Sequence, residues 1–366
     1  MTAPSTETDV VVLGLGIHGA AASLELARRG LSVIGVEQFA PGHSRGSSHG
    51  ATRMIRRAYP NAVWNELVSR AYDGWERWAE IAGESFYTAT TGLYAHRGSG
   101  TMQGGRSRPV GSAEVAELMP SVSFPQGYEA VFDLDAGVLK AEKALAFAHR
   151  AAQEHGAELR FGERVEAWST DGGGVTVTTS GGSIRASRLV LAGGAWAPKL
   201  MPRYAEQFEV WRIVTLSARP GQEVGQPPQL GSFSVDLPEG LVFGVPAIGQ
   251  AGAKVGIDAG LVWDPEVPVA EPTQAEVSRL AALFESFVPG IDLTGAEAVA
   301  CLYTMTPDKR FVVGALPGEP GVIAAAACSG HGFKFGPAIG AAVADLVQGV
   351  PRPDLDFVSP ERWEAA

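Results

Sequence analysis

The chain has 366 residues, 45% hydrophobic and 19% charged, a balance that suits a globular protein long enough for two intimate domains. Its 29 Lys+Arg against 40 Asp+Glu leave a net charge of −11, which argues against nonspecific nucleic-acid binding, since displacing phosphate counterions needs a basic surface. Two cysteines make no disulfide framework and fit a reducing cytoplasm; the polar opening MTAPSTETD lacks the basic n-region of a signal peptide, and the apolar run after Asp9 is broken by glycines and His18 before it can span a membrane.

Residues 9–39, DVVVLGLGIHGAAASLELARRGLSVIGVEQF, read as strand, turn, helix and strand. Asp9–Leu13 is a short β-branched run, and Ala20, Leu24 and Ala27 then share one helical stripe. Gly30 stands where a glycine ends a helix, and LSVIGVE supplies a second buried strand. Between them Gly14, Gly16 and Gly19 form G-x-G-x-x-G: a tight turn, a close approach for a pyrophosphate, and close helix–strand packing. The phosphates would rest on the helix N-terminus, and Glu37 ends the second strand where a carboxylate can accept bonds from a ribose. This pattern alone does not separate FAD from NAD.

Residues 40–57, APGHSRGSSHGATRMIRR, read as a Gly/Ser/His loop running into a helix-like segment. Gly46, Ser47, Ser48, His49 and Gly50 offer small side chains and many amides for wrapping a cofactor. Arg53 and Arg56, three apart, are expected to share a helical face. Residues 140–155 form a helix that stops at Gly156. AELRF, RVEAWST and VTVTT then read as a three-stranded meander, and SRLVLAGGAW as a buried strand ending at Gly193–Gly194. FEVWRIVTLSA, GLVFGVPAI and AKVGIDAG look antiparallel, and PTQAEVSRLAALFESF is an amphipathic helix. The chain closes as strand, Gly-rich loop and helix. The loop from Ser329 through Gly330, His331, Gly332, Phe333 and Lys334 leads into a helix whose positive end points at whatever the loop cradles.

Taken together, GLGIHG with Glu37, SSHGATRMIRRAY, LAGGAW, ACLYTMTPD and SGHGFKF resemble the monomeric sarcosine oxidase and N-methyltryptophan oxidase family, flavoproteins of the D-amino-acid-oxidase type. The resemblance spans nearly the whole chain, and its last two segments are the most specific. It implies an α/β (α+β two-domain) fold. A Rossmann-like FAD-binding domain would comprise residues 1–85, 140–200 and 300–366, and a mostly antiparallel substrate domain residues 86–139 and 201–299. A meander interrupting the nucleotide-binding sheet suits such flavoproteins.

By the same resemblance Cys301 carries FAD as a thioether at the flavin 8α-methyl, whereas Cys328, in an apolar strand, reads as an inert buried thiol. Gly14, Gly16, Gly19 and Glu37 hold the ADP part. Ser47, His49 and Arg53 lie along the flavin, with Val165 and Trp196 beside it, and Gly330, Gly332 and Phe333 complete its surroundings; Lys254, Arg53, His49 and Tyr303 are the implied catalytic residues. Arg56 and Lys334 bind the substrate carboxylate, for which a planar guanidinium fork is well suited. Lys254 promotes reaction with oxygen, whose reduction develops negative charge early. The chain departs from the family at Asp258, where sarcosine oxidase has a histidine, at Phe243 for a tyrosine, and at Ser234 for a methionine. Asp258 would attract a cationic amine group or sit in a structural pair, and sarcosine itself is in doubt as the substrate.

The implied activity is oxidation of an N-alkyl or secondary amino acid, with hydride transfer to flavin and reoxidation by O2 giving H2O2. No metal, nucleic acid or membrane partner is implied, and the assembly is a monomer or small homo-oligomer. A fructosyl-amino-acid oxidase and a flavin dehydrogenase with another acceptor remain alternatives. A flavin subunit or redox sensor without turnover would lack the cations Arg56, Lys254 and Lys334, and an NAD-linked dehydrogenase would not explain SGHGFKF and ACLYT.

Overall fold

The computed structural model describes residues 6–98, 102–326 and 329–364, so Cys328 lies outside the described residues. Among these, three sheets form, of eight, nine and three strands. No described helix is long and apolar enough to cross a membrane.

The first sheet is built on the strand Thr6–Leu13, which pairs in parallel with Val33–Glu37 on one side and Gly182–Leu191 on the other. Val10 and Val12 pack among the helices on one face, while Val11 and Leu13 pack on the opposite face with Tyr204 and Phe208. A strand buried on both sides explains its unbroken apolar run. Helix Ile17–Arg28 makes the crossover between the first two strands and packs against helices Ala141–Glu154 and Gly336–Val347.

Two expectations change here. AELRF is not in the meander: Glu158–Phe161 pairs in parallel with Val33–Glu37 at the far side of the sheet. The meander is Val165–Thr170, Val175–Thr179 and the first half of Gly182–Leu191, a single ten-residue strand that from Ile184 onward also pairs in parallel with Thr6–Leu13. The segment carrying Arg53 is also no helix. Thr52–Ile55 is a strand paired antiparallel with Gly137–Lys140, so Arg53 and Arg56 share no helical face. TRMI is too short and too β-branched to sustain a helix against a distant strand that satisfies its backbone.

The second sheet is mostly antiparallel. It contains strands Glu209–Ser217, Ser232–Leu237, Gly240–Val245, Lys254–Ile257 and Glu297–Met305, together with three strands between residues 92 and 133 and the short edge Leu261–Val262. The residue-300 boundary expected between domains falls inside Glu297–Met305, which pairs along its whole length with Glu209–Ser217. One face packs on helix Gln274–Phe287, through Val214, Leu216, Val255 and Ile257 against Leu280, Phe284 and Phe287. That helix starts with a capping box between Thr273 and Glu276. Glu276 also pairs with the buried guanidinium of Arg212 at 2.5 Å, fastening the helix to the sheet.

Candidate active site

The glycine turn after the first strand is required by contact as well as conformation. Gly14 has φ +88°, and a Cβ there would stand 2.5 Å from the Ala192 carbonyl oxygen. A Cβ on Gly19 would meet Gly14 O at 1.8 Å, so only glycine lets the helix seat against the turn. Gly16 caps the helix without a side-chain bond, and the Ile17 amide is met by Ser48 Oγ at 3.1 Å. Glu37 is buried and accepts from the Leu15 and Phe39 amides at 3.0 and 3.1 Å. These two bonds aim the carboxylate and leave further acceptor positions on each oxygen.

From this turn a cavity of about 1660 Å³ runs toward the second sheet. Ordinary ligand pockets span roughly 300–1,000 Å³. The glycine-turn end is bounded by Gly14, Gly16 and Glu37, with Val165 and Trp196 also lining the cavity; Gly19 sits behind the turn. Trp196 is held by an Nε1–H bond to Glu266 at 2.8 Å, and Glu266 also pairs with Arg164 and Lys199. Those pairs hold its carboxyl down to about 2 against the opposing effect of burial. Glu266 reaches over from the second sheet's side, and sequence reasoning missed it because nothing in WDPEV marks a long-range partner.

The middle of the cavity is formed by Ser47, His49 and Arg53. Arg53 donates to the carbonyls of Ser47, His49 and Thr52, so its guanidinium braces the loop around the cavity. Ser47 Oγ donates to Leu302 O, tying that loop to the strand of Cys301. His49 Nε2 is buried without a hydrogen-bond partner among the described residues. Burial, then the charges of Arg53, His43 and Lys254, lower the His49 pKa to about 4, so the ring is neutral. His18, a residue noted above only as a break in the apolar run, bonds through Nε2 to Gly332 O at 3.1 Å and joins the two glycine loops.

The far wall follows from the pleat of the second sheet. Alternate residues of a strand face opposite ways. In Glu297–Met305, Cys301 and Tyr303 face the cavity, while Ala298 and Ala300 face the helix side. In Glu209–Ser217, Thr215 and Ser217 face in; in Lys254–Ile257 and the residue beyond it, Lys254 and Asp258 do. Phe243 and Ser234 join them from the two strands alongside. Cys301 is buried and pairs across the ladder with Ile213. Lys254 Nζ donates to Thr52 O at 2.9 Å. Burial, then Arg53, lower its pKa to about 7, with Cys301 and Glu142 opposing. Asp258 has a buried Oδ1 without a hydrogen-bond partner among the described residues.

At the remaining end lie Gly330, Gly332, Phe333, Arg56 and Lys334. Tyr59, which the sequence did not single out, gathers the two cations. The Arg56 guanidinium lies 5.0 Å from its ring centroid, and Lys334 Nζ donates to its hydroxyl at 3.2 Å. His331 completes the group through Nδ1 and the Tyr59 hydroxyl at 3.2 Å; burial, then Lys334, hold its pKa well below the ordinary value. Two cations facing one cavity make a seat for an anion. The long shape, the glycine cradle and Glu37 fit a dinucleotide.

The family described as FAD dependent oxidoreductase matches residues 9–346. A monomeric sarcosine oxidase of Streptomyces avermitilis is 32% identical, with 98% of each chain covered. An N-methyl-L-tryptophan oxidase of Citrobacter koseri is 30% identical, covering 93% of this chain and 95% of that one. Among solved structures, NikD, an amino acid oxidase of nikkomycin biosynthesis, superposes with a TM-score of 0.84 over 97% of this chain and 98% of its own, at 22% identity. The L-proline dehydrogenase of P. horikoshii does so with a TM-score of 0.82 over 99% of each chain at 21% identity. The last two likenesses speak for the fold.

Proposed function

The chain belongs to the family of FAD-dependent oxidoreductases, a membership carried by nearly its whole length, and from that premise we propose that it oxidises the CH–NH bond of an N-alkyl or secondary amino acid with O2 as the final acceptor. FAD supplies a two-electron acceptor at the flavin, and its reoxidation by O2 gives H2O2. In this reading residues 1–85, 140–200 and 300–366 serve the cofactor, and 86–139 and 201–299 serve the substrate.

The protein's own work is binding and orientation. Arg56 and Lys334, both turned toward Tyr59, take the substrate carboxylate. A carboxylate held at one end fixes the distance of the reacting carbon from the Cys301 wall. Cys301 tethers the flavin as a thioether, and Glu37 with the Gly14–Ile17 turn holds the ADP part. Lys254 offers positive charge where oxygen is reduced. His49 stays neutral and adds no charge to that cluster.

One observation carries this reading: a single pleat face presents Cys301, Tyr303, Phe243 and Lys254 to the cavity that begins at the glycine turn and ends at Arg56 and Lys334. The test is a panel of N-methyl, cyclic and glycated amino acids mixed with the yellow protein under argon and in air. An N-methyl or cyclic amino acid is expected to bleach the flavin under argon and to yield peroxide in air. Bleaching without peroxide would make the protein a dehydrogenase, and bleaching by glycated compounds alone a fructosyl-amino-acid oxidase. No bleaching by any member would remove the proposed activity.

A further inference from the structure

Several carboxylates line the cavity, and three of the others are already bonded. Glu37 takes the Leu15 and Phe39 amides, Glu142 the Gly50 amide at 2.7 Å, and Glu163 the Thr179 hydroxyl. Asp258 differs, because its buried Oδ1 has no partner among the described residues. A buried carboxylate oxygen without a partner is costly, and the fold tolerates one where a ligand supplies the missing bond.

The fold also keeps Asp258 away from the nearest cation on its own strand. Lys254 and Asp258 face the same way, two same-face steps apart, a separation of about 13 Å along an extended chain. Gly256 lies between them, and the Phe243 ring occupies the place of its side chain: a Cβ there would stand 2.4 Å from Phe243 Cζ. The ring therefore stands as a partition between lysine and carboxylate. Around Asp258 the walls are apolar and aromatic. Leu241 lies across the ladder, its carbonyl accepting the Asp258 amide at 2.8 Å. Tyr303 and Gly330 close the other side: a Cβ on Gly330 would lie 2.8 Å from the Tyr303 ring and 3.3 Å from Asp258 Oδ1.

We propose that Asp258 is a specificity-determining residue that binds a cationic group at the end of the substrate away from its carboxylate, so that the preferred substrates are amino-acid-type amines with a basic side chain. This rests on the carboxylate seat at Arg56 and Lys334 given above. The chemistry of the niche selects the partner. An apolar stem with a charged head matches aromatic walls ending in a carboxylate, and an ammonium or guanidinium pairs with that carboxylate. The reacting nitrogen is a poor candidate for this place, since a carboxylate beside it would hold it protonated and without the lone pair that oxidation needs. Burial pushes the Asp258 carboxyl up, with Lys309 opposing, and a bound cation would return it to the ionised form.

The test uses the flavin-loaded protein and ligands that are not oxidised. Dissociation constants of ω-guanidino acids of three to five carbons and of alkanoic acids of equal length are measured from the change each causes in the flavin absorbance. Wild-type protein is expected to bind the best guanidino acid at least tenfold more tightly than its alkanoic counterpart, and Asp258→Asn to reduce that ratio to near one. Equal binding of the two ligand types by wild-type protein, which needs no variant, overturns the assignment while leaving the carboxylate seat intact. A ratio that survives Asp258→Asn does the same. If neither ligand type binds, the carboxylate seat is wrong, and this assignment falls with it.

Discussion

The Phe243 ring lies directly on Gly256, so closely that a single added methyl would come within 2.4 Å of its Cζ. Gly256→Ala must push the ring out of its place between Lys254 and Asp258. Overpacking of this kind costs about 1–3 kcal/mol. A lower melting temperature is expected, together with a slower anaerobic flavin reduction, since the displaced ring enters the substrate's space. Unchanged reduction kinetics would mean that the ring does not border the reacting substrate.

Covalent attachment at Cys301 has a direct signature. Wild-type protein precipitated with acid is expected to stay yellow, and the peptide containing Cys301 to carry the mass of the flavin. In Cys301→Ser the colour should pass to the supernatant. A fully loaded wild-type preparation that releases all its flavin to acid leaves Cys301 as a buried thiol beside the cavity.

Arg56→Ala removes one charge-assisted partner from the proposed carboxylate seat. The loss is expected to be about 2–5 kcal/mol in transition-state binding for carboxylate substrates. The corresponding amides should lose far less, so the comparison of acid with amide isolates the charge. Equal losses for both would take Arg56 out of the seat.

The glycine turn at one end of this site was legible because its constraints are local. Gly14 and Gly19 are fixed by contacts within a strand–turn–helix unit, and that unit is written in consecutive residues. The alternation in AKVGID and ACLYT likewise records which side chains share a pleat face. What stayed hidden depends on distant partners. Thr52–Ile55 becomes a strand because residues 137–140 pair with it. Tyr59 matters because Lys334 and His331 arrive from the other end of the chain. That the Phe243 ring stands over Gly256, between Asp258 and Lys254, is a fact of packing that spacing does not contain.

The pair Arg212–Glu276 ties the capped helix to the second sheet, and its effect on stability has a pH window. Its bond to Arg212, the largest influence, lowers the Glu276 carboxyl to about 2. An unfolded glutamate titrates near 4.3, so the folded protein binds fewer protons between these values, and the stabilisation is full above the unfolded value and lost as pH falls toward 2. Glu276→Gln is expected to destabilise by about 1–3 kcal/mol at pH 7, by leaving the buried guanidinium without a counter-charge. Denaturant midpoints of variant and wild type should converge as pH is lowered below 4. A constant difference across that range would assign the effect to packing.

Lys254 and Arg53 both donate to the Thr52 carbonyl, at 2.9 and 2.8 Å, which places a second cation against the lysine in a buried site. Burial and that neighbour bring the Lys254 pKa to about 7. A lysine with a lowered pKa is charged below it and neutral above it, so the cation offered to oxygen is lost as pH rises through about 7. Any anion that joins the site moves this midpoint upward. Reoxidation of dithionite-reduced protein by oxygen is therefore expected to slow with rising pH from about 7 upward. Lys254→Met keeps the apolar stem and removes the charge. It should reoxidise slowly at every pH and lose the titration, while anaerobic reduction by substrate changes much less, because that half-reaction does not call on the charge. A structural lysine would give the opposite pattern, with methionine nearly harmless to both half-reactions. Stopped-flow mixing of the reduced variant with oxygenated buffer separates the two. A wild-type reoxidation rate in Lys254→Met would mean that oxygen is activated elsewhere, or that electrons leave to a different acceptor.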